Sequence, residues 1–277
     1  MWFEELLEEL GIEYWVGDPA KIRAREPRRQ KTDRNDALLL LRLLEEPDGF
    51  PRIWVPDRAT RDLRQLLMYR HKLVCMRSSV KNQLQAIALN RGVQRKKQLW
   101  NEAGRQQLAA LELPPWTERR RDELMRLHNQ WDQEISELDH VVKEQAQRHP
   151  EAAYLMKKVC GVGPITALGV VLMLGPVERF ANARKVASYA GLIPAESSSG
   201  PHQRLGHITK QGSPFLRFVL VEAAQTAARY DAEFKRVYWR LVERRGKSVA
   251  KVAVARRLLT RLYWLLRLRS EKRRTNR

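Results

Sequence analysis

Two carboxylates three residues apart, Asp33 and Asp36, stand in the run Lys31-Thr32-Asp33-Arg34-Asn35-Asp36-Ala37. If a helix starts there, this spacing puts both acids on one side of its first turn, near enough to share a hard cation such as Mg²⁺. Carboxylates that hold such a cation support phosphoryl transfer. The same residues also suit a plain helix start, with Thr32 or Asp33 as cap and acids in the first turn. A second candidate is Ser197-Ser198-Ser199-Gly200, with Arg204, His207 and Lys210 close behind. A serine hydroxyl beside cations is the equipment for attack on a phosphate and for holding the charge that develops there. A serine-rich surface loop has the same composition.

A third motif, Gly161-Val162-Gly163-Pro164, lies between a helical run ending near Lys157-Lys158 and the apolar run Leu168 to Leu174. Gly-x-Gly between two short helices is the pattern of a helix-hairpin-helix, whose second helix offers backbone N–H groups to a phosphate. A C-cap glycine followed by proline at the first position of the next helix reads the same way. The fourth feature is a basic end. From Arg244 to Arg277 there are thirteen Lys/Arg and one acid, Glu271. A helix from Ser248 to Arg269 would put Val252, Leu259, Leu262 and Leu266 on an apolar face and Arg256, Arg257, Arg261 and Arg267 on a basic one.

These candidates need a scaffold. The 277 residues carry 52 Lys/Arg against 32 Asp/Glu, a net charge of +20, and 43% are apolar. That is enough for a real core, and the charge asks for a polyanion, most simply nucleic acid. Two cysteines exclude a disulfide framework, six histidines show no zinc spacing, and no apolar stretch reaches membrane-spanning length. The N-terminus has no export signal, so a cytoplasmic protein without a membrane partner is expected.

Residues 1 to 10 predict an amphipathic helix (Trp2, Phe3, Leu6, Leu7, Leu10) stopped by Gly11. A strand over Glu13 to Val16 and a turn at Gly17-Asp18-Pro19 follow. A second helix is expected from Asp33 to Glu46, closed by Pro47-Asp48-Gly49, and a last strand over Ile53-Trp54-Val55. Leu63, Leu66, Leu73, Met76, Val80, Leu84 and Ile87 predict a long helix from Asp57 to Asn90. Leu124, Leu127, Trp131, Ile135, Leu138 and Val142 predict its partner from Thr117 to Arg148. The expected architecture is mainly α. It comprises the remnant of an α/β domain (1–56), antiparallel coiled-coil helices (57–150), and an all-helical C-terminal domain with the helix-hairpin-helix and the serine loop (151–277). His71 is expected on a wet helix face, and Trp239, Tyr263 and Trp264 in the core.

Taken in this order, the motifs resemble the DEDD-type insertion-sequence transposases of the IS110 group, also described as bridge-RNA-guided serine recombinases. The resemblance is carried by Lys31-Thr32-Asp33 with Asp36-Ala37, Gly161-Val162-Gly163, Phe180 to Gly191, Ser199-Gly200, and Ile208-Thr209-Lys210-x-Gly212 with Leu216-Arg217. It implies an N-terminal RuvC-like domain of ribonuclease H type with four acids, the last two falling on Asp33 and Asp36. It also implies a serine, Ser199, that becomes joined to DNA as a phosphoserine, with Ser197 and Ser198 as alternatives of register. DNA, a structured guide RNA, Mg²⁺ and a homo-oligomer, dimer or tetramer, are the implied partners.

The first two acids of that pattern have no counterpart in this sequence, and most of the sheet is missing with them. The expectation is therefore a truncated or mis-started reading frame, impaired in strand exchange and leaving Trp2, Phe3 and Trp15 without a cover. Two other readings share the motifs: a non-catalytic DNA- or RNA-binding protein, and a metal-dependent junction nuclease with no serine step.

Overall fold

The computed structural model describes residues 2–25, 32–47, 49–94, 98–196 and 204–275. It is mainly helical and divides at Arg58 into two compact units. No helix among the described residues is long and apolar enough to cross a membrane.

The first unit opens with α1 (Trp2–Glu9). Gly11, at φ +67°, ends it: Ile12 N donates to Leu7 O and Gly11 N to Glu8 O, the paired bonds of a left-handed glycine cap. The two expected strands do not form. Their ends meet in a single antiparallel bridge between Gly17 and Arg52, flanked by Ile53 N to Val16 O and Asp18 N to Pro51 O, both 2.9 Å. Two such short segments, with no third strand among the described residues, cannot propagate a ladder. The expected turn at Gly17-Asp18-Pro19 is instead the start of a helix, α2 (Pro19–Arg25). Asp18 Oδ1 accepts from the N–H groups of Ala20 and Lys21, and proline takes the first helical position. Helix α3 (Asp33–Glu45) follows the prediction to within a residue, and Leu43 is its one fully buried side chain. Apolar surface is left open across this unit, at Trp2, Phe3, Leu10 and Trp15 and at Leu38, Leu41 and Leu44.

The second unit starts with the two long helices α4 (Arg58–Leu89) and, after α5 (Glu102–Ala109), α6 (Pro115–Arg148). They run antiparallel. Arg70 donates to Asp139 at 2.7 Å, Arg77 to Asp132, and Arg120 back to Gln83 at 2.9 Å, so rising numbers on one helix meet falling numbers on the other. Val80, Leu84 and Ile87 of α4 close on Leu124 of α6 and on Leu99 and Leu108, forming a separate apolar cluster at that end. The α6 seam differs from the expected one. Arg121 and His128 are buried in it, while Leu127 faces out. Arg121 is tolerated because Asp122, Glu118 and the Leu111 carbonyl take its N–H groups.

The main core surrounds α8 (Pro164–Leu174), reached from α7 (Pro150–Lys158) by a five-residue turn. Every side chain from Thr166 to Leu174 is buried, as a helix apolar on all sides requires. Its last carbonyls are capped by arginines: Arg64 donates to Leu172 O at 2.6 Å and Arg179 to Leu174 O at 2.9 Å. Packed around it are α9 (Ala183–Tyr189), α10 (Pro214–Tyr230) and α11 (Ala232–Thr275). The predicted terminal helix is the second part of α11, which bends at Gly246 (φ 79°, ψ 166°). Tyr263 is fully buried, with its hydroxyl on Phe180 O at 3.0 Å. Trp239 and Trp264 are not core residues; each is about half exposed, on the side of α11 turned from the apolar face. His71 is not on a wet face either: its ring packs against Phe215 and Phe218 of α10.

Candidate functional site

The serine stretch is flanked by two short strands, too short to show a period of two in the sequence. Strand β1 (Pro194–Glu196) pairs antiparallel with β2 (Leu205–Ile208), in a register of Pro194 with Ile208 and Glu196 with Leu205 and an irregularity between. Ser197, Ser198 and Ser199, which join these strands in sequence, lie outside the described residues. Arg204 and His207 are exposed on the returning side, and Ile208 packs against the main core. Lys210, also exposed, is the one non-glycine at positive φ (55°) among the described residues.

The base of this hairpin is closely locked. Thr209 N donates to Ile193 O at 2.9 Å and Lys210 N to Gly191 O at 3.3 Å. Gly191 (φ +66°) and Gly212 (φ +76°) face each other's strands so closely that a Cβ on Gly191 would overlap the Gln211 carbonyl oxygen and one on Gly212 the Tyr189 carbonyl oxygen. Arg217, on the first turn of α10, donates one nitrogen to three carbonyls: Gln211 at 2.8 Å, Gly212 at 3.2 Å and Ala190 at 3.3 Å. Ser213 caps α10 by accepting from Leu216 N. Arg217 thus ties α10 to both ends of the segment that carries the serines. Its position five residues after Gly212 is visible in the sequence, but a partner made of backbone carbonyls leaves no residue-type signal.

The α7–α8 turn answers the Gly-x-Gly pattern with two different glycines. Gly161 has φ +84°, and a Cβ there would come within 2.8 Å of Ala227 N and 2.9 Å of Ala223 O on α10. Val162 is buried, so its side chain serves the core. Gly163, the N-cap of α8, is exposed at φ −85°, and a Cβ there would meet nothing within 4 Å. Of the three, Gly163 is the residue whose surroundings leave room for a phosphate.

Asp33 and Asp36 sit exposed in the first turn of α3, with Thr32 as the cap and its Oγ1 accepting from Asn35 N at 3.3 Å. They belong to the first unit, and the hairpin and the α7–α8 turn to the second. A DEDD-type domain implies a divalent cation. Among the described residues no group of three or more His, Cys, Asp or Glu side chains is placed to hold one. On α11, Arg257 is exposed and Arg256 half-buried. Arg261 is committed to Asp231 at 3.1 Å and Glu233 at 3.8 Å, which lowers its value as a phosphate contact.

A family model described as "Transposase IS116/IS110/IS902 family" matches residues 153–239, the stretch that runs from α7 through the hairpin into α11. A transposase model of DEDD type from the same IS110 group matches residues 3–91. The chain is 28% identical over 253 residues to the transposase for insertion sequence element IS1111A of Coxiella burnetii, covering 87% of this chain and 68% of that protein. It is 28% identical over 247 residues to a pilin gene-inverting protein of Moraxella lacunata, covering 86% and 67%. With a probable family 20 transposase of Pseudomonas aeruginosa it shares 36% identity over 110 residues, 38% of this chain and 32% of the relative. The chain thus matches between about a third and about two thirds of the length of these curated relatives. Two family models of one group, in the expected order along the sequence, place this chain in the IS116/IS110/IS902 family of transposases.

Proposed function

We propose that this chain acts on DNA as an insertion-sequence transposase, by strand exchange through a phosphoserine on Ser199. The observation that carries the reading is the locked base of the β1–β2 hairpin, where Gly191, Gly212 and Arg217 fix both ends of the serine segment to α10. A nucleophile presented on a braced hairpin gains the positional control that attack on a phosphodiester needs. In the proposed step Ser199 Oγ forms a bond to a backbone phosphorus, one P–O bond to a sugar breaks, and the serine proton ends on the released sugar hydroxyl. The phosphoserine conserves the bond for rejoining. Arg204, His207 and Lys210, as the basic side chains nearest in sequence, are suited to hold the attacked phosphate.

Asp33 and Asp36 are proposed ligands of Mg²⁺, two of the four acids in the pattern. Strand exchange by these 277 residues alone is therefore expected to be weak. Gly163, Arg256 and Arg257 are proposed backbone contacts to nucleic acid, and a guide RNA and a second copy of the chain are proposed partners in the cytoplasm. The test is covalent trapping. The purified chain is incubated with Mg²⁺ and DNA spanning the ends of the genomic segment that carries the gene, then denatured and resolved for protein-DNA adduct. An adduct lost in Ser199→Ala supports the serine step. Cleavage that persists in Ser199→Ala but stops with Asp33→Ala and Asp36→Ala would establish the junction nuclease instead, and DNA binding with neither would leave a binding protein.

A further inference from the structure

The bend of α11 carries a cationic surface that the candidate site above does not use. From Lys235 to Lys251 there are seven Lys/Arg (Lys235, Arg236, Arg240, Arg244, Arg245, Lys247 and Lys251) against one acid, Glu243. All but Lys251 are exposed. Arg236, Arg240 and Arg244 fall at i, i+4 and i+8 on the helix before Gly246, a stripe stepping ~6 Å per residue pair. Like charges at that spacing destabilise a helix. Unlike Arg261, which is held by Asp231 and Glu233, these three have no ion pair among the described residues, although Glu243 lies on the same face. Trp239 flanks the stripe. It is 52% exposed, and its ring is braced edge-on by Tyr238 at 5.5 Å, itself packed against the main core. A large indole kept half in water beside three uncompensated guanidiniums is poor for solubility but suits a base that can stack.

We infer that the elbow of α11, formed by Arg236, Arg240, Arg244 and Trp239, is a binding site for an unpaired strand of nucleic acid, with the arginines on successive phosphates and a base on Trp239. Duplex has its bases stacked internally and offers Trp239 nothing, so the site discriminates by strandedness. Gly246, at φ 79° and with open space where a Cβ would sit, bends the helix just beyond the stripe. The inference rests on the nucleic-acid reading of the proposed function but not on the serine step.

The full 277-residue chain is titrated by fluorescence anisotropy against labelled dT20, rU20 and a 20-bp duplex over a salt series. Replacing Arg236, Arg240 and Arg244 by Gln is expected to weaken the single strand at least tenfold and to flatten the salt slope by about 2, at ~0.7 for each lost phosphate contact. Trp239→Ala is expected to lose about tenfold on the single strand and under twofold on the duplex, and Trp239→Phe to recover most of it. A difference between dT20 and rU20 says which strand the elbow prefers, and either preference supports the site. Wild-type affinity and slope in the triple variant, with circular dichroism unchanged, overturn the inference. So does an equal loss on duplex in Trp239→Ala. Binding is read without cleavage, so absence of a covalent adduct fails the serine reading and leaves this result standing.

Discussion

Arg217 Nη1 lies 2.8 Å from the carbonyl oxygen of Gln211, and through that bond helix α10 holds the returning end of the serine hairpin. The same nitrogen reaches Ala190 O on the outgoing end. Arg217→Ala should therefore loosen the hairpin selectively. Amide exchange at Thr209 and Lys210 is expected to rise at least tenfold, with the amides of α8 unchanged and a global loss of only about 1–2 kcal/mol. Adduct yield should fall with hairpin protection, and free guanidinium should restore part of both. Equal exchange in the variant and the parent would show that Arg217 does not brace the hairpin.

The two glycines of the α7–α8 turn should separate packing from recognition. Gly161→Ala meets a positive φ and the backbone of α10, so a loss of about 2–4 kcal/mol is expected by urea unfolding. Gly163→Ala has an ordinary φ and open space, and should cost under about 1 kcal/mol. If the N-terminus of α8 takes a phosphate, Gly163→Ala should nonetheless weaken DNA binding several-fold. Unchanged binding would leave the turn a purely structural one.

Acid should destabilise the second unit through two histidines. Burial pushes the imidazole of His128 below its usual range, with Lys81 and Arg105 adding to the effect and Asp132 opposing it. Burial, then Arg70, does the same for His71. Because the folded values lie below the ordinary 6.5, the unfolded chain binds more protons as the pH drops. This contribution is fully present above about pH 6.5 and is lost as pH falls through that value toward the lower folded ones. Urea unfolding at pH 7.5 and 5.5 should show the loss, and His71→Phe with His128→Phe should shrink it while keeping the ring contacts with Phe215 and Trp100. An equal loss in the double variant would assign the acid sensitivity elsewhere.

The cap of α3 should behave as a cap whatever else its acids do. Thr32→Ala is expected to cost about 1 kcal/mol of local stability. The pair Asp33→Asn and Asp36→Asn, both exposed, should cost less than that and leave the circular dichroism intact. Loss of Mn²⁺ binding by calorimetry in that pair, with Thr32→Ala retaining it, is the expected signature of a metal role. Identical Mn²⁺ titrations in parent and variant would remove these acids from any cation site.

Much of the helical frame was legible because long apolar periods and caps are written in residue types. The limits of α3, α4 and α6, and the end of α7, fall within about two residues of the sequence reading, set by the Thr32 cap and the apolar repeats. What was not legible depends on partners distant in sequence. The strands expected at Glu13 and Ile53 had β-branched and aromatic residues but too little sheet to join. The strands beside the serines are three and four residues long and are held by a clamp of carbonyls. Arg121 and His128 enter the α6 seam because a polar residue can be buried when its hydrogen bonds or ring contacts are met locally, as Asp122, Glu118 and Leu111 do for Arg121 and Trp100 for His128. Trp239 and Trp264 stand half in water although their sequence neighbours are apolar, because apolar neighbours on a helix do not say which side a tryptophan takes.

The helix pair α4 and α6 has an apolar cluster at each end, and between them Leu73 and Ile135 are the fully buried apolar side chains, with Arg70–Asp139 and Arg77–Asp132 at their flanks. A strut built this way is stiff at its ends and compliant at its waist. Charge pairs are weakened by salt while apolar contacts are not. Ionic strength should thus act on this arm as a dial on its bending, and over a helix ~50 Å long a few degrees at the waist carry the far tip by several ångströms.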